Sequence, residues 1–186
     1  MTQIHEKSKK RVKDHGEVFT PSHIVEEMCD LIPAKAWKDS KYIFLEPSCG
    51  NGNFLVAIVA RRLKSGVSIK STLNTMWGMD IMADNIQEAH VRICQLIKSK
   101  LTKPLTVAQA CELVAILQNN VYVVDDSIRV MKSGEFDKKK FLFEDPTGNN
   151  NVLGIIHGNK AVKKIKDSYK ENELVQILLG GSVENV

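Results

Sequence analysis

Three carboxylates in this 186-residue chain each close a short apolar run: Glu46 ends "YIFLE", Asp80 lies in "MWGMDI", and Asp126 ends "NNVYVVDD". Directly after the first stands "PSCGNGNF", in which Gly50 and Gly52 bracket a single asparagine. Glycines at that spacing let a turn come close to a ligand, because neither has a Cβ to collide with it. Carboxylates beside such a turn are acceptors for hydroxyl, ammonium and amino groups. A Gly-x-Gly turn alone also serves packing, and each acid alone also serves as a helix cap or an exposed charge. Taken in order, each acid after an apolar run, they point to one shared ligand.

The elements that must position these residues alternate in type. Thr20 is predicted to N-cap a helix with Pro21 at its first position and Ile24, Val25, Met28, Leu31 and Ile32 along one stripe, ending at Pro33. "YIFLE", stopped by Pro47, reads as a strand buried on both faces, and "NFLVAIVARRLK" as a helix turning Phe54, Leu55, Ile58, Val59 and Leu63 inward. "LNTMWGMDI" is a second strand candidate. Asp84 and Gln87 then have a capping-box spacing before an amphipathic helix, and Thr106 and Gln109 repeat it. "NNVYVVDD" is rich in β-formers, "KKFLFED" and "NVLGIIHG" are further strand candidates, and a C-terminal helix carries Val162, Ile165, Tyr169, Ile177 and Leu178. Strands alternating with helices give βαβ units, hence an α/β fold with an open, mostly parallel sheet that binds ligands at the carboxyl ends of its strands.

Composition narrows the class. Apolar residues make up 43% and charged residues 26%, ordinary globular values that exclude disordered and fibrous chains. No apolar run is long enough to span a membrane and "MTQIHEKSKK" has no signal-peptide core, so a cytoplasmic location without membrane contact is expected. Cys29, Cys49, Cys94 and Cys111 form no Cys-x-x-Cys pair, so neither a metal site nor a disulfide framework is indicated. Residues 1–15 read as a basic, flexible segment and residues 16–186 as a single cofactor-binding domain. Lysines also crowd residues 138–140 and 160–166, and such clusters support weak, sequence-independent DNA contact at most.

Which ligand the turn takes is narrowed by what it lacks. A phosphate-binding P-loop needs Gly-Lys-Ser/Thr, and no lysine follows Gly52; a dinucleotide loop needs a third glycine where Leu55 stands. S-adenosylmethionine fits the acids. Glu46 can balance its ammonium, amides at the start of the following helix can receive its carboxylate, Asp80 can accept from the ribose hydroxyls, Ile81 can lie against the adenine, and Asp126 can accept from the adenine amino group.

Four segments in order, "GEVFTPSHIVEEMCDLI", "LEPSCGNGNFL", "GMDIMADNIQEA" and "NNVYVVDDSI", resemble the cofactor motifs of adenine-specific DNA N6-methyltransferases of restriction-modification systems. The resemblance implies the Rossmann-like S-adenosylmethionine-dependent methyltransferase fold, the cofactor S-adenosyl-L-methionine, and DNA as the partner. By it Phe19, Thr20 and Pro21 flank the cofactor, Glu46, Gly50 and Gly52 hold its methionine end, Asp80 the ribose and Asp126 the adenine, with Pro47, Phe54 and Ile81 as further cofactor-binding residues.

The family's base pocket is Asn/Asp-Pro-Pro-Tyr/Phe, which accepts from the flipped adenine's amino group and stacks an aromatic ring on the base. Here the nearest segment is "EDPTGN". Asp145 and Pro146 stand for its first half, Thr147 and Gly148 supply neither the second proline nor the ring, and an Asp-Pro turn ending a strand is the other reading. The sheet is expected to be truncated at its C-terminal strands. Two functions remain: a methyltransferase completed by a second copy or another methyltransferase subunit, and a non-catalytic S-adenosylmethionine sensor, sink or regulatory subunit.

Overall fold

The computed structural model of the chain describes residues 7–124 and 152–181, and of residues 152–159 only the backbone. In chain order the elements are α1 (Lys9–His15), α2 (Ser22–Asp30), α3 (Ala34–Lys38), β1 (Phe44–Glu46), α4 (Asn53–Lys64), α5 (Ile69–Asn74), β2 (Met76–Asp80), α6 (Ala83–Lys100), α7 (Val107–Asn120), β3 (Val121–Val123), α8 (Val152–Asp167) and α9 (Glu173–Leu179). Among the described residues the fold is mixed α/β, with a three-stranded parallel sheet in the order β1-β2-β3. Phe44 pairs with Met76 and Gly78 with Val121, so the three strands point their carboxyl ends the same way.

β2 is central and wholly buried, with Met76, Trp77 and Met79 at 1% exposure or less. That is why its sequence is an unbroken apolar run and not an alternating one. α7 is apolar on nearly every side, from Ala110 and Cys111 to Ile116 and Leu117, because it lies between α5, α8 and α9. Its start is a reciprocal capping box: Thr106 Oγ1 accepts from the Gln109 amide and Gln109 Oε1 from the Thr106 amide. The four cysteines are free and buried, and burial pushes the Cys94 thiol up to about 12, so they pack as apolar groups. No described helix is long and apolar enough to cross a membrane.

Several local expectations are corrected. Pro21, not Thr20, is the N-cap of α2, and the Thr20 carbonyl instead accepts from Asn53 Nδ2 at 2.8 Å. The buried stripe of α2 is Val25 and Cys29, while Met28 and Leu31 are exposed, because among the described elements the helix packs mainly on α4, along one narrow side. "LNTMWGMDI" is divided: residues 69–74 are helical behind the Ser68 cap, and the strand begins at Met76. Asp84 does not cap α6, since that helix already begins at Ala83; its carboxylate is taken by Lys7 and Arg11. Residues 152–158 are helical and not a strand, because no break separates them from the apolar stripe of Ala161, Val162 and Ile165 that packs into the core. The expected C-terminal helix is two, α8 and α9, parted at 168–172, where Asn172 caps the second.

Of the basic N-terminal segment, residues 7–15 are described. Ser8 caps α1, and Gly16 ends it in the left-handed conformation at φ 65°. Lys7 pairs with Asp84 and Glu88, and Arg11 with Asp84 and Glu17, which fastens this helix to the start of α6.

Candidate functional site

At the carboxyl ends of β1 and β2 lies a cavity of about 210 Å3. Residues 15–20, Glu46, the turn 48–51, the first turn of α4 and residues 80–82 with Asn85 line it. A larger, open groove of about 1010 Å3 lies away from the strand ends, at the last turn of α4 between Trp37 and Lys100, and contains none of the acids singled out by the sequence.

The turn is held from three sides. Asp80, buried at the end of β2, accepts the Gly50 amide at 2.9 Å through Oδ2, and the Met82 amide at 2.8 Å and Asn85 Nδ2 at 3.3 Å through Oδ1. The Cys49 amide donates to the Met79 carbonyl at 2.8 Å, extending the sheet pairing past β1. From α6, Arg92 donates to the Asn51 carbonyl at 2.7 Å and Glu88 accepts from Asn51 Nδ2 at 2.8 Å. Gly50 stands at φ 52° with the buried Phe19 ring against it; Gly52 stands at φ 88° against Ala89 of α6. α4 starts directly after Gly52 with no side chain capping it, and its first residues, Asn53 and Phe54, line the cavity.

Glu46 is half-buried, and Ser48 donates its amide to Oε1 at 3.2 Å. Burial pushes the Glu46 carboxyl above its ordinary value, and the Ser48 amide offsets only part of that. No lysine or arginine pairs with it among the described residues. Asp84, outside the cavity, is the opposite case: hydrogen bonds from Arg11 and then Lys7 hold its carboxyl well below the usual range.

Of the residues expected from the sequence, Phe19, Thr20, Glu46, Gly50, Phe54, Asp80 and Ile81 all line the cavity. Gly52 lies behind it on α6, while Pro21 caps α2 and Pro47 follows β1 without lining it. Asp126, Asp145 and Pro146 fall outside the described residues.

The N-6 DNA methylase family model matches residues 3–164. The chain belongs to the N-6 DNA methylase family. No curated protein and no solved structure matches it. The match spans the whole cavity wall, from the end of α1 through Asn85, and runs on through Asp126, Asp145 and Pro146. Methylation of adenine N6 in DNA is thus the chemistry its family serves.

Residues that pattern reading did not single out are Glu17, Asn85, Glu88 and Arg92. Glu17 sits inside the quoted "GEVFTP" segment, and Asn85, Glu88 and Arg92 recur three to four apart on α6, the spacing of one helix face. That spacing was readable, but its target, a turn some forty residues earlier, was not.

Proposed function

We propose that this N-6 DNA methylase chain binds S-adenosyl-L-methionine in the cavity, as the cofactor-binding part of an adenine-methylating system acting on DNA, in a Rossmann-like arrangement. One observation carries the reading: Glu46 and Asp80 from neighbouring parallel strands and the uncapped start of α4 meet in one cavity. A carboxylate has about four acceptor positions, and Asp80 uses three, so a ribose hydroxyl still finds one. Glu46, half-buried without a cation, suits an ammonium, and the α4 amides suit a carboxylate. The cavity is smaller than the usual ligand range of about 300–1,000 Å3, so the adenine extends past the mouth, where Val18 and Ile81 are exposed at 61% and 44%. Asp126, two residues past Val124, is the proposed acceptor for its amino group.

Calorimetric titration with S-adenosylhomocysteine tests this, and its pH dependence is part of the expected result. The ammonium needs Glu46 ionised, so affinity should be greatest above the raised value of Glu46 and should fall as pH drops through it, with protons released on binding in that window. Without ligand the sign is opposite. A carboxyl raised by burial contributes stability below its unfolded value of about 4.3 and loses it as pH rises through the folded value. Absence of both heat and thermal stabilisation at millimolar ligand would remove the cofactor reading. Binding that is independent of pH, and unchanged in Glu46→Gln, would leave the site but reassign the ammonium.

The base pocket is proposed to be incomplete in this chain, because Thr147 and Gly148 follow Asp145-Pro146 where the family has a second proline and an aromatic ring. Stacking on such a ring is worth roughly 1–3 kcal/mol per base. The purified chain should therefore transfer tritiated methyl to unmethylated DNA about ten- to a hundred-fold more slowly than with the ring supplied, and a second methyltransferase subunit is the proposed source of that ring. Robust transfer by the chain alone, lost in Asp145→Ala, would make "EDPTGN" a working catalytic motif and reverse this assignment.

A further inference from the structure

Among the described residues, Glu17 is the one carboxylate lining the cavity to which the family resemblance assigns no role. Its side chain is 8% exposed, so it is more than nine-tenths buried. Oε1 is fully engaged, accepting from Arg11 Nη2 and from Asn85 Nδ2 at 2.7 Å. Oε2 is buried with no hydrogen-bond partner among the described residues, in a residue that lines the cavity. Arg11 balances the charge, so what is left over is an acceptor and not a charge. An unpaired buried acceptor is costly, and a ligand donor removes that cost.

The position of Glu17 relative to Asp80 says which donor. Asn85 Nδ2 donates to both, at 2.7 Å to Glu17 and 3.3 Å to Asp80 Oδ1, so one amide nitrogen joins two carboxylates on the same wall. The oxygens that Asn85 joins are occupied, and the spare acceptor positions are on the other oxygen of each carboxylate: Glu17 Oε2, without a partner among the described residues, and Asp80 Oδ2, which takes only the Gly50 amide. Two carboxylates on one wall, each with a spare oxygen, match a vicinal diol, whose two hydroxyls stand on adjacent carbons and each need one acceptor. Gly16 makes the approach possible: its left-handed turn ends α1 and starts the strap 17–20 that runs along the cavity.

We infer that Glu17 is a second sugar-binding carboxylate, its Oε2 accepting from one hydroxyl of the ribose diol while Asp80 accepts from the other. The inference rests on the cofactor reading above and adds to it a residue and a specificity, selection for the ribose over a sugar lacking its hydroxyls. The N-terminal basic helix thereby acquires a task, since Arg11 is what holds Glu17 in place.

The test is calorimetry on the parent chain and Glu17→Gln with two ligands, S-adenosylhomocysteine and its 2′,3′-dideoxy analogue. Glutamine keeps one oxygen for Arg11 and Asn85, and thermal unfolding checks that the variant is folded. Glu17→Gln should weaken S-adenosylhomocysteine about ten-fold, the worth of one charge-assisted hydrogen bond, and change the dideoxy analogue less than about two-fold. An equal loss on both ligands, or no loss on either, overturns the role of Glu17 while the cofactor site stands. A parent chain that binds neither ligand overturns the cofactor reading and this inference together.

Discussion

Gly52→Ala should lower the stability of the chain by about 2–5 kcal/mol and abolish ligand binding at the cavity. Two costs add. At φ 88° a residue with a Cβ pays roughly 1–2 kcal/mol for the left-handed backbone. The new Cβ would also lie 2.8 Å from the Cβ and 3.1 Å from the Cα of Ala89, and the backbone of an 18-residue helix cannot move aside as a flexible side chain can. Forced overpacking of that kind costs typically about 1–3 kcal/mol. Relief comes only by pushing the turn off α6, which carries Gly50 away from Asp80 and breaks the 2.9 Å bond that shapes the cavity. Gly66→Ala is the matched control: φ is 85° there, and a Cβ meets nothing within 4 Å. Urea unfolding of both variants separates strain from clash. If Gly52→Ala costs no more than Gly66→Ala, the close packing of the turn on α6 has no energetic weight.

Arg62→Met should cost about 2–4 kcal/mol without touching the cavity. Arg62 is wholly buried, yet no carboxylate among the described residues forms an ion pair with it. Its Nη1 donates to the carbonyls of Ala36, Asp39 and Tyr42 at 3.3, 3.1 and 3.4 Å, Nη2 donates to Thr75 Oγ1 at 3.1 Å, and the guanidinium lies over Phe44 at 5.2 Å. Burial lowers its pKa, with Asp39 opposing in part, so the charge itself is a cost. Replacing a buried charge by an apolar side chain is often neutral when its partners go too. Here they remain: three carbonyls on the way from α3 to β1 would lose a shared donor, each unpaired group costing about 1–3 kcal/mol before relaxation. Because the three share one nitrogen at long distances, the loss is placed below their sum. For a domain of this size each kcal/mol is worth about 2–4 °C in Tm, so thermal and urea unfolding both resolve it. A change within about 0.5 kcal/mol would mean that water takes over those carbonyls.

Arg62 was not legible in the sequence, where "ARRLK" reads as the polar end of an amphipathic helix and either arginine could face out. Arg61 does, pairing with Glu26 and Asp30; one residue further round the helix Arg62 points inward beneath β1. The order of the motifs was legible, because it depends on local properties. An apolar run too short for a helix, a Pro stop, a Gly-x-Gly turn and a second apolar run already imply strand, turn and helix, and parallel strands bring their closing acids to one end. Glu46, the turn and Asp80 therefore meet as the sequence alone requires. Among the caps, Thr106–Gln109 was readable because both of its hydrogen bonds close within four residues.

Where two conformations were locally comparable, the tertiary structure chose. Leu73, Asn74 and residues 152–158 read as parts of strands from their apolar surroundings, and they are helical because α5 and α8 each fill a place against α7. Asp84 had the spacing of a cap and became a partner for Arg11, 73 residues away, once Asp80 had taken the Met82 amide just ahead of the helix. Glu17 depends on the same long-range meeting. The sequence by itself determined the family, the strand–turn–helix order around the Gly-x-Gly turn and the meeting of Glu46 and Asp80 at the strand ends, since these follow from period, turn chemistry and chain direction. Which acid faces the cavity with a free oxygen, which ties the turn to β2 and which is neutralised by the N-terminal helix was decided only in three dimensions. Those assignments depend on donors 30 to 77 residues away, whose positions no local pattern encodes.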